Sequence, residues 1–312
     1  MPRPVLIDTD AGVDDALALI FALRSPEIAV QTITTVAGNV EVHRCTRNVY
    51  AICDFVRPPL RPLIAQGSSR PLKRALVTAP EVHGKDGLGD SDLPHIQFSA
   101  HTNAVDEILS FVSRFGSRGT IVALGPLTNI ARAIRIAPAV MGALGGIVSM
   151  GGAFRVGGNT GPVSEFNYFV DPEAAQIVFD SNTRLTVVPL DVTQQFIVSR
   201  KELVDAYLAS HRPRNKFILR FTENYMRYHV HTENFFGAYL HDPLAVASLV
   251  FPRFAKRLAV GSISVETKGA WTRGMTTCTW AKGANRTTPH SVVAGFQFSS
   301  FRKLFFDRLF GT

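Results

Sequence analysis

Four carboxylates lie close together near the start of the chain: Asp8, Asp10, Asp14 and Asp15. The apolar run before them, residues 5–7, is typical of a buried strand, and the run after them, residues 16–20, is typical of a helix. Like charges crowded into one turn disfavour one another's ionisation, and folding does not require such crowding. A hard divalent cation such as Ca2+ or Mg2+ would relieve the repulsion, because it takes several oxygen ligands. The turn therefore predicts a metal-binding or catalytic site.

Part of this acidic turn also has a structural explanation. Asp8 or Asp10 could cap the following helix, and the two later acids would interact favourably with the positive end of its dipole. A chemical alternative is an aspartate-dependent phosphatase acting on a nucleotide, in which Asp8 attacks phosphate and Asp10 serves as acid and base. That alternative leaves Asp14 and Asp15 without a role.

Length and composition describe a globular protein and leave one non-enzymatic function open. The 312 residues are 46% hydrophobic and 19% charged, which excludes a disordered or fibrous chain. The formal net charge is +8 and the isoelectric point about 9.7, so a basic nucleic-acid-binding protein without turnover is an alternative. The lysines and arginines are scattered along the chain, however, which favours a role in solubility and predicts no nucleic-acid partner.

Cysteines and apolar runs bear on the compartment in which the protein works. Cys45, Cys53 and Cys278 form no CxxC pair, and their odd number argues against a disulfide framework and for a reducing compartment. The first strand begins by residue 4, which leaves no room for a signal peptide. No apolar run reaches the length of a membrane span. We therefore expect a cytoplasmic protein with no membrane partner.

The elements that must position the acids follow an alternating pattern. Apolar, β-rich runs alternate with helical patterns, which predicts an α/β fold. The sheet is expected to be open, mostly parallel and Rossmann-like, flanked by helices, with extra helices and short strands in the C-terminal part. No linker divides the chain, so we expect a single domain over residues 1–312. The expected strands are residues 5–7, 30–36, 63–65, 120–124, 146–150 and 184–190. The expected helices are residues 42–56, 103–115, 171–180 and 299–310, with 201–250 helical throughout and 67–93 a long loop.

Polar turns follow several of the predicted strands. They comprise the acidic turn and the positions Asn39, Leu124-Gly125, Gly151-Gly152 and Asp191. In open α/β sheets, ligands bind beyond the carboxyl ends of the strands. We therefore expect these turns to converge on one site.

Four sequence blocks together resemble one enzyme family. They are DTDAGVDDA at residues 8–16, ALGPLTNIA at 123–131, a GN…EFN…DPEAA block at 158–175, and HDPLA at 241–245. In this order and spacing they resemble the inosine–uridine preferring nucleoside hydrolases, and the resemblance covers effectively the whole chain. It implies hydrolysis of the N-glycosidic bond of ribonucleosides to ribose and free base, a reaction of nucleoside catabolism and salvage. It also implies a nucleoside substrate and a homodimer or homotetramer.

The resemblance also implies roles for individual residues. A Ca2+ ion would be held by Asp10, Asp15, Asp242 and the main-chain carbonyl of Leu124. Asp10 would be the general base for a Ca2+-bound water, and His241 the acid that assists the departing base, which its chemistry also favours. The ribose hydroxyls would be bound by Asp14, Asn39, Glu165 and Asn167, and the 5′-hydroxyl by Asn159. Phe166 would lie near the sugar, and His83, in the HGKDGLG loop at 83–89, near the ribose or the attacking water. The base would contact Tyr225, Tyr228 and His229.

Overall fold

A computed structural model describes residues 1–91, 103–233, 237–280 and 290–311 of the protein. Nine of its strands form one sheet in the order β10-β9-β11-β6-β5-β4-β1-β2-β3, and β7 pairs with β8. The strands are β1 (Arg3–Thr9), β2 (Ile28–Thr35), β3 (Leu63–Gln66), β4 (Thr120–Ala123), β5 (Ile147–Met150), β6 (Leu185–Val188), β7 (Ile197–Val198), β8 (Ala238–Tyr239), β9 (Ala255–Val265), β10 (Thr276–Trp280) and β11 (Ser291–Phe296). The ladders from β11 to β3 are parallel, whereas β9 pairs antiparallel with both β10 and β11. The predicted open, mostly parallel sheet is confirmed.

Helices cover both faces of this sheet. They are α1 (Val13–Leu23), α2 (Val42–Val56), α3 (Pro80–His83), α4 (Ala104–Phe115), α5 (Thr128–Ile136), α6 (Pro138–Gly142), α7 (Phe166–Val170), α8 (Pro172–Phe179), α9 (Leu190–Thr193), α10 (Arg200–Ser210), α11 (Lys216–Glu233), α12 (Asp242–Val250) and α13 (Phe298–Phe310). Alternate side chains of β1 enter different cores: Val5 and Ile7 pack with α1, α2 and α10–α13, and Leu6 packs with α4, α5 and α8. The central strands are therefore buried on both faces.

Local signals account for the elements that were predicted well. The helix expected at 171–180 is α8, with Pro172 in its first turn and the Asp171 side chain accepting the Ala174 N–H at 3.1 Å. Parallel pairing also sets Asp8 of β1 beside Ala123 of β4. The turns that follow these two strands therefore meet at one edge of the sheet, as expected for the acidic turn and Leu124.

Two element predictions were wrong. The strand expected at 184–190 ends at Val188, because Pro189 cannot donate to a strand ladder and instead lies at the N-cap of α9. Residues 201–250 are not helical throughout. His211, in the left-handed region at φ 49°, and Pro213 separate α10 from α11, and β8 follows. Each break reflects a residue whose backbone preference overrides the helical pattern.

Two further expectations are changed. Asp191 has a structural role, since its carboxylate accepts the N–H groups of Phe154 and Arg155, just after Gly151-Gly152, at 2.8 Å. The long loop expected at 67–93 contains the helical turn α3. Among the described residues, Cys45, Cys53 and Cys278 are free, as predicted. No helix in the described ranges is both long and apolar enough to span a membrane.

Candidate active site

The acidic turn is closed by its own hydrogen bonds. Ala11 takes the left-handed conformation at φ 45°, which turns the chain from β1 into α1. The Gly12 N–H donates to Asp15 Oδ2 at 2.9 Å, and the Thr9 hydroxyl donates to the other oxygen of the same carboxylate. Asp14 and Asp15 thus occupy the first turn of α1, both buried. The turn holds two carboxylates in a fixed orientation at the sheet edge.

Asp10, which follows β1 and precedes these two acids, is completely buried. Its Oδ2 accepts the main-chain N–H of Asn39 at 2.8 Å, whereas its Oδ1 has no hydrogen-bond partner among the described residues. A Cβ built on Gly125 would lie 2.8 Å from that Oδ1, and one on Gly38 would overlap Oδ2. Glycine is therefore required where two loops approach the Asp10 carboxylate. A buried oxygen without a partner is costly unless another group binds it.

Asp8 takes a different position from the other three acids. It lies within β1, and its Oδ1 accepts hydrogen bonds from the Thr34 hydroxyl and the Asn129 amide. Burial raises its pKa to about 7, although those two hydrogen bonds oppose the shift. Asp8 thus links β1 by hydrogen bonds to β2 and to the start of α5.

Asp14, Asp15 and Asp242 form a compact carboxylate cluster. Each offers an oxygen within 4.8 Å of the others, although Asp242 lies more than 200 residues further along the chain. Asp242 begins α12, and the main-chain N–H groups of His241 and Asp242 donate to the Asp14 carboxylate. Burial, and then repulsion by Asp15, raises the pKa of Asp14 to about 7. Burial, and then repulsion by the neighbouring acids, raises the pKa of Asp242 well above its ordinary value.

The donors around this cluster fit a hard cation. The Leu124 carbonyl lies at the same cavity and accepts the Asn167 side-chain amide at 2.7 Å, which leaves its second lone pair available. All these groups offer oxygen, and Asp10 adds an oxygen without a partner. We call Asp10, Asp14, Asp15, Asp242 and the Leu124 carbonyl the acidic wall. This wall could hold a metal ion, whose charge would offset the repulsion among its members.

Three histidines face the cavity with their Nδ1 atoms engaged. His83 Nδ1 accepts the Val13 N–H at 3.1 Å, so the neutral ring carries its proton on Nε2. His229 Nδ1 lies 3.0 Å from the Tyr225 carbonyl, and His241 Nδ1 lies 2.7 Å from the Thr193 hydroxyl. Burial, and then the neighbouring histidines, lowers the pKa of His241 to about 3; burial, and then His229, does the same for His83.

Aromatic rings complete this side of the cavity. Tyr225 stacks on His83 with ring centroids 5.5 Å apart, and its hydroxyl donates to the Tyr239 carbonyl at 2.8 Å. Tyr228 is half-buried and meets His229 edge-on at 5.5 Å. We call the rings on this side the aromatic wall: His83, Tyr225, Tyr228, His229, Tyr239 and His241.

The segment before α8 supplies a third group of polar side chains. Glu165 caps α7, and its carboxylate accepts the N–H groups of Asn167 at 2.9 Å and Gly152 at 3.0 Å. Burial raises the pKa of Glu165 to about 7, and those hydrogen bonds oppose the shift. Asn159 is exposed, and its Oδ1 accepts the Phe166 N–H at 3.0 Å. Phe166 is half-buried at the cavity.

These side chains surround one cavity of about 340 Å³. Every candidate site residue from the sequence lines it except Asp10, which is completely buried. The lining also includes residues that no motif indicated: Val77, Thr78, Glu81, Val82, Met150, Thr160, Gln194 and Tyr239. Several of them belong to the 67–93 loop and to the turn after β6, where the sequence has no strong pattern.

The glycine loop after His83 is held against α2. The Asn48 side-chain amide donates to the main-chain carbonyls of Ala11, at 3.1 Å, and Asp86, at 2.9 Å. Gly84, Gly87 and Gly89 have φ values of 79°, 83° and 68°, which side chains disfavour. Asn48 therefore joins the acidic turn to the loop that carries His83.

The fold and this cavity define a class of protein. An oxygen-rich cavity that could hold a cation, at the carboxyl edge of a parallel sheet and lined also by imidazole and phenol groups, is typical of an enzyme site for a small polar molecule. Sequence comparison gives the family: the profile of the inosine-uridine preferring nucleoside hydrolases matches residues 5–303, and the chain belongs to this family.

Named relatives agree with this assignment. The chain is 37% identical over 278 residues, 88% of each chain, to the pyrimidine-specific ribonucleoside hydrolase RihA of Salmonella enteritidis PT4. It is 37% identical over 267 residues to uridine nucleosidase 1 of Arabidopsis thaliana, covering 85% of this chain and 79% of the relative.

Solved structures agree as well. A purine-preferring ribonucleoside hydrolase from Gardnerella vaginalis superposes with a TM-score of 0.92 at 33% identity, covering 99% of this chain and 98% of that one. The plant nucleoside hydrolase PpNRh1 gives a TM-score of 0.90 at 32% identity over the whole of both chains. The protein is thus a ribonucleoside N-glycosidase, and neither the phosphatase nor the nucleic-acid-binding alternative is favoured.

Proposed function

We propose that this enzyme hydrolyses ribonucleosides with the help of one Ca2+ ion bound by Asp10, Asp15, Asp242 and the Leu124 carbonyl. The observation that carries the proposal is the convergence of buried carboxylates from both ends of the chain, opposite an imidazole, around one cavity. Oxygen donors without nitrogen or sulfur favour Ca2+ or Mg2+, and the larger ion accepts six to eight ligands without strict geometry. When bound, Ca2+ would lower the pKa of a coordinated water and hold hydroxyl groups of the sugar.

Asp10 is the residue we assign to take the proton from the attacking water. Its Oδ1 has no hydrogen-bond partner in the described part of the chain, and its Oδ2 is already held by the Asn39 N–H. The carboxylate is therefore fixed in orientation, with one oxygen left to accept a proton. A base held in this way loses little entropy at the moment of reaction.

Ribose would be bound by the polar groups around the acidic wall. Asp14 and Glu165 are buried acceptors whose orientation is set by main-chain N–H groups, and both line the cavity. The remaining ribose contacts would come from Asn39, Asn159, Phe166 and Asn167. Cleavage of a glycosidic bond develops positive charge on the sugar, and carboxylates fixed nearby would stabilise that charge.

The base would lie against the aromatic wall. Tyr225, Tyr228 and His229 offer faces and edges for a planar ring, and His83 lies between them and the acidic turn. His241 would assist departure of the base, which otherwise leaves as an anion. His241 directly precedes Asp242, the first residue of α12. The leaving base and the sugar would therefore meet at the start of this helix.

The proposal is tested by measuring release of free base from inosine, uridine, cytidine, adenosine and guanosine, with and without a chelator. Asp10→Ala should lower kcat at least about a thousandfold, because general-base catalysis and cation binding are both affected. Asp54→Asn removes an exposed carboxylate that pairs with Arg61 at 2.9 Å, and should leave kcat unchanged. Full activity of Asp10→Ala, with its circular dichroism spectrum intact, would refute the proposal.

We further propose that the whole chain acts as one domain and assembles into a homodimer or homotetramer in the cytoplasm. Two hydrophobic clusters pack on opposite faces of one sheet, which supports a single folding unit. Three free cysteines support a reducing compartment. Analytical ultracentrifugation distinguishes the assemblies, and a monomer at micromolar concentration would contradict the oligomer.

A further inference from the structure

Thr193 contacts His241 from a position that no motif includes. It is the last residue of α9 and is completely buried, and its Oγ1 lies 2.7 Å from His241 Nδ1. Its neighbour Gln194 lines the cavity, so the end of α9 borders the site. The hydroxyl is thus a buried contact to one of the two ring nitrogens of His241, which itself lines the cavity.

Chemistry decides which of the two groups donates. Among the described residues, the Thr193 hydroxyl has no other hydrogen-bond partner, so Nδ1 is the only acceptor for its proton. If Nδ1–H donated instead, the hydroxyl proton would be buried without an acceptor, which carries a desolvation penalty. The hydroxyl is therefore the donor. A neutral imidazole that accepts at Nδ1 carries its proton on Nε2.

We propose that Thr193 is a positioning residue that holds His241 in its Nε2–H tautomer, with that proton directed at the departing base. The proposal rests on the role of His241 in the proposed function. As the C1′–N bond breaks, its electron pair stays with the base, and the Nε2–H group donates a hydrogen bond to the resulting anion. Water supplies the hydroxyl group that C1′ gains and one proton; Asp10 accepts that proton and releases it to solvent, which balances the proton that the free base takes up.

The matching tautomer of His83 supports this account. Its Nδ1 accepts the Val13 N–H, so its proton also lies on Nε2. Two histidines at the cavity thus have their Nδ1 atoms engaged by donors from the protein framework. For His83 the donor is main chain and cannot be removed by substitution. For His241 the donor is the Thr193 side-chain hydroxyl, which a substitution can remove.

The experiment compares leaving groups that differ in their need for stabilisation. Uracil and the purines depart poorly as anions, whereas 4-nitrophenolate departs readily without help. Thr193→Val removes the hydroxyl at nearly constant volume and should lower kcat for the best nucleoside about tenfold or more, with KM within about twofold. Turnover of 4-nitrophenyl β-D-ribofuranoside should stay within about twofold, which also shows that the variant is folded. Thr193→Ser should recover most of the nucleoside activity.

Two controls make the result specific. Thr183→Val removes another buried hydroxyl, which donates to the Met141 carbonyl and does not line the cavity. This variant should leave the turnover of both substrates unchanged. Equal losses on both substrates by Thr193→Val would show a merely structural role, and no loss would show no role. A Thr193→Ser variant as slow as Thr193→Val would also overturn the proposal. Failure of the proposed function is seen separately, as unchanged nucleoside hydrolysis in His241→Ala or Asp10→Ala.

Discussion

Without a bound cation, the acidic wall should lower the free energy of unfolding of the protein as the pH rises. Without a cation, burial and repulsion hold the pKa of Asp14 at about 7, whereas an unfolded aspartate ionises near 3.8. Below about pH 4 the carboxyl is protonated in both states, and it does not disfavour folding. As the pH rises through 7 the folded state must ionise it, and that part of the stability is lost. Cation binding needs ionised carboxylates, so Ca2+ should bind more tightly as the pH rises.

The magnitude follows from the shift at one carboxyl. A rise from 3.8 to about 7 corresponds to about 4 kcal/mol at about 1.36 kcal/mol per pKa unit. Between pH 5 and pH 8, about 2–3 kcal/mol of this amount is expressed, which corresponds to about a hundredfold gain in Ca2+ affinity. With about 2 °C of melting temperature per kcal/mol for a chain of this size, the Ca2+-induced gain should grow by about 5 °C. Asp10 and Asp242, whose pKa values are also raised, act in the same direction.

The assay is differential scanning calorimetry in chelator and in excess Ca2+ at pH 5, 6.5 and 8. Burial lowers the pKa values of His83 and His241, so their contribution to stability rises with pH, opposite to that of Asp14. Comparing chelator with Ca2+ at the same pH cancels this histidine contribution. Asp242→Asn should remove most of the Ca2+ effect, and Asp54→Asn should not change it. A Ca2+-induced gain that is constant or smaller at pH 8 would refute the electrostatic account of the acidic wall.

Three further substitutions test how the site is supported. Gly125→Ala would bring a Cβ to 2.8 Å from Asp10 Oδ1, so kcat/KM should fall about a hundredfold while circular dichroism shows a folded protein; unchanged kcat/KM contradicts this. Asn48→Ala removes a donor from the buried Ala11 carbonyl and from the partly buried Asp86 carbonyl, which keeps Arg47 as a donor at 3.2 Å, and should cost about 1–3 kcal/mol in urea unfolding; a cost below about 0.5 kcal/mol would be inconsistent. Arg74→Ala breaks a partly exposed ion pair with Glu173, so the free energy of unfolding should fall by no more than about 1 kcal/mol. A fall of more than about 2 kcal/mol would argue for a larger role of this pair.

The sequence predicted the half of the site that depends on strand ends. Buried parallel strands give apolar runs, and the residues after those runs must meet at one edge, so the acidic turn, Asn39 and Leu124 converge as expected. Asp242 could not be placed by such reasoning, because it starts a helix that follows no strand of the main sheet. Only its resemblance to a family motif brought it to the site.

Contacts between distant segments were outside the reach of local patterns. The bond from the Val13 N–H to His83 joins residues 70 positions apart, and nothing in either segment encodes it. Thr193 was missed because the secondary-structure prediction around it was wrong. The apolar run before Pro189 predicts a strand that continues to residue 190, where the structure has the start of α9. That reading placed Asp191 at the site as the end of a strand, and it gave no role to Thr193 or Gln194. Pro189 was the available signal, because proline seldom continues a central strand.

The two walls of the cavity differ in how they are built, and the difference bears on substrate preference. Turns at the sheet edge hold most of the acidic wall, and a main-chain N–H group fixes each of Asp10, Asp14 and Asp15. The aromatic wall comes mostly from α3, α11 and β8, which lie outside the nine-stranded sheet. Side chains there can change without moving the groups that we propose to bind the cation and the sugar. Relatives named as pyrimidine-specific and as purine-preferring show similar identity to this chain, at 37% and 33%. Overall similarity therefore does not determine which base is accepted; under the proposed function, that choice depends on the aromatic wall and on Gln194, which lines the same cavity.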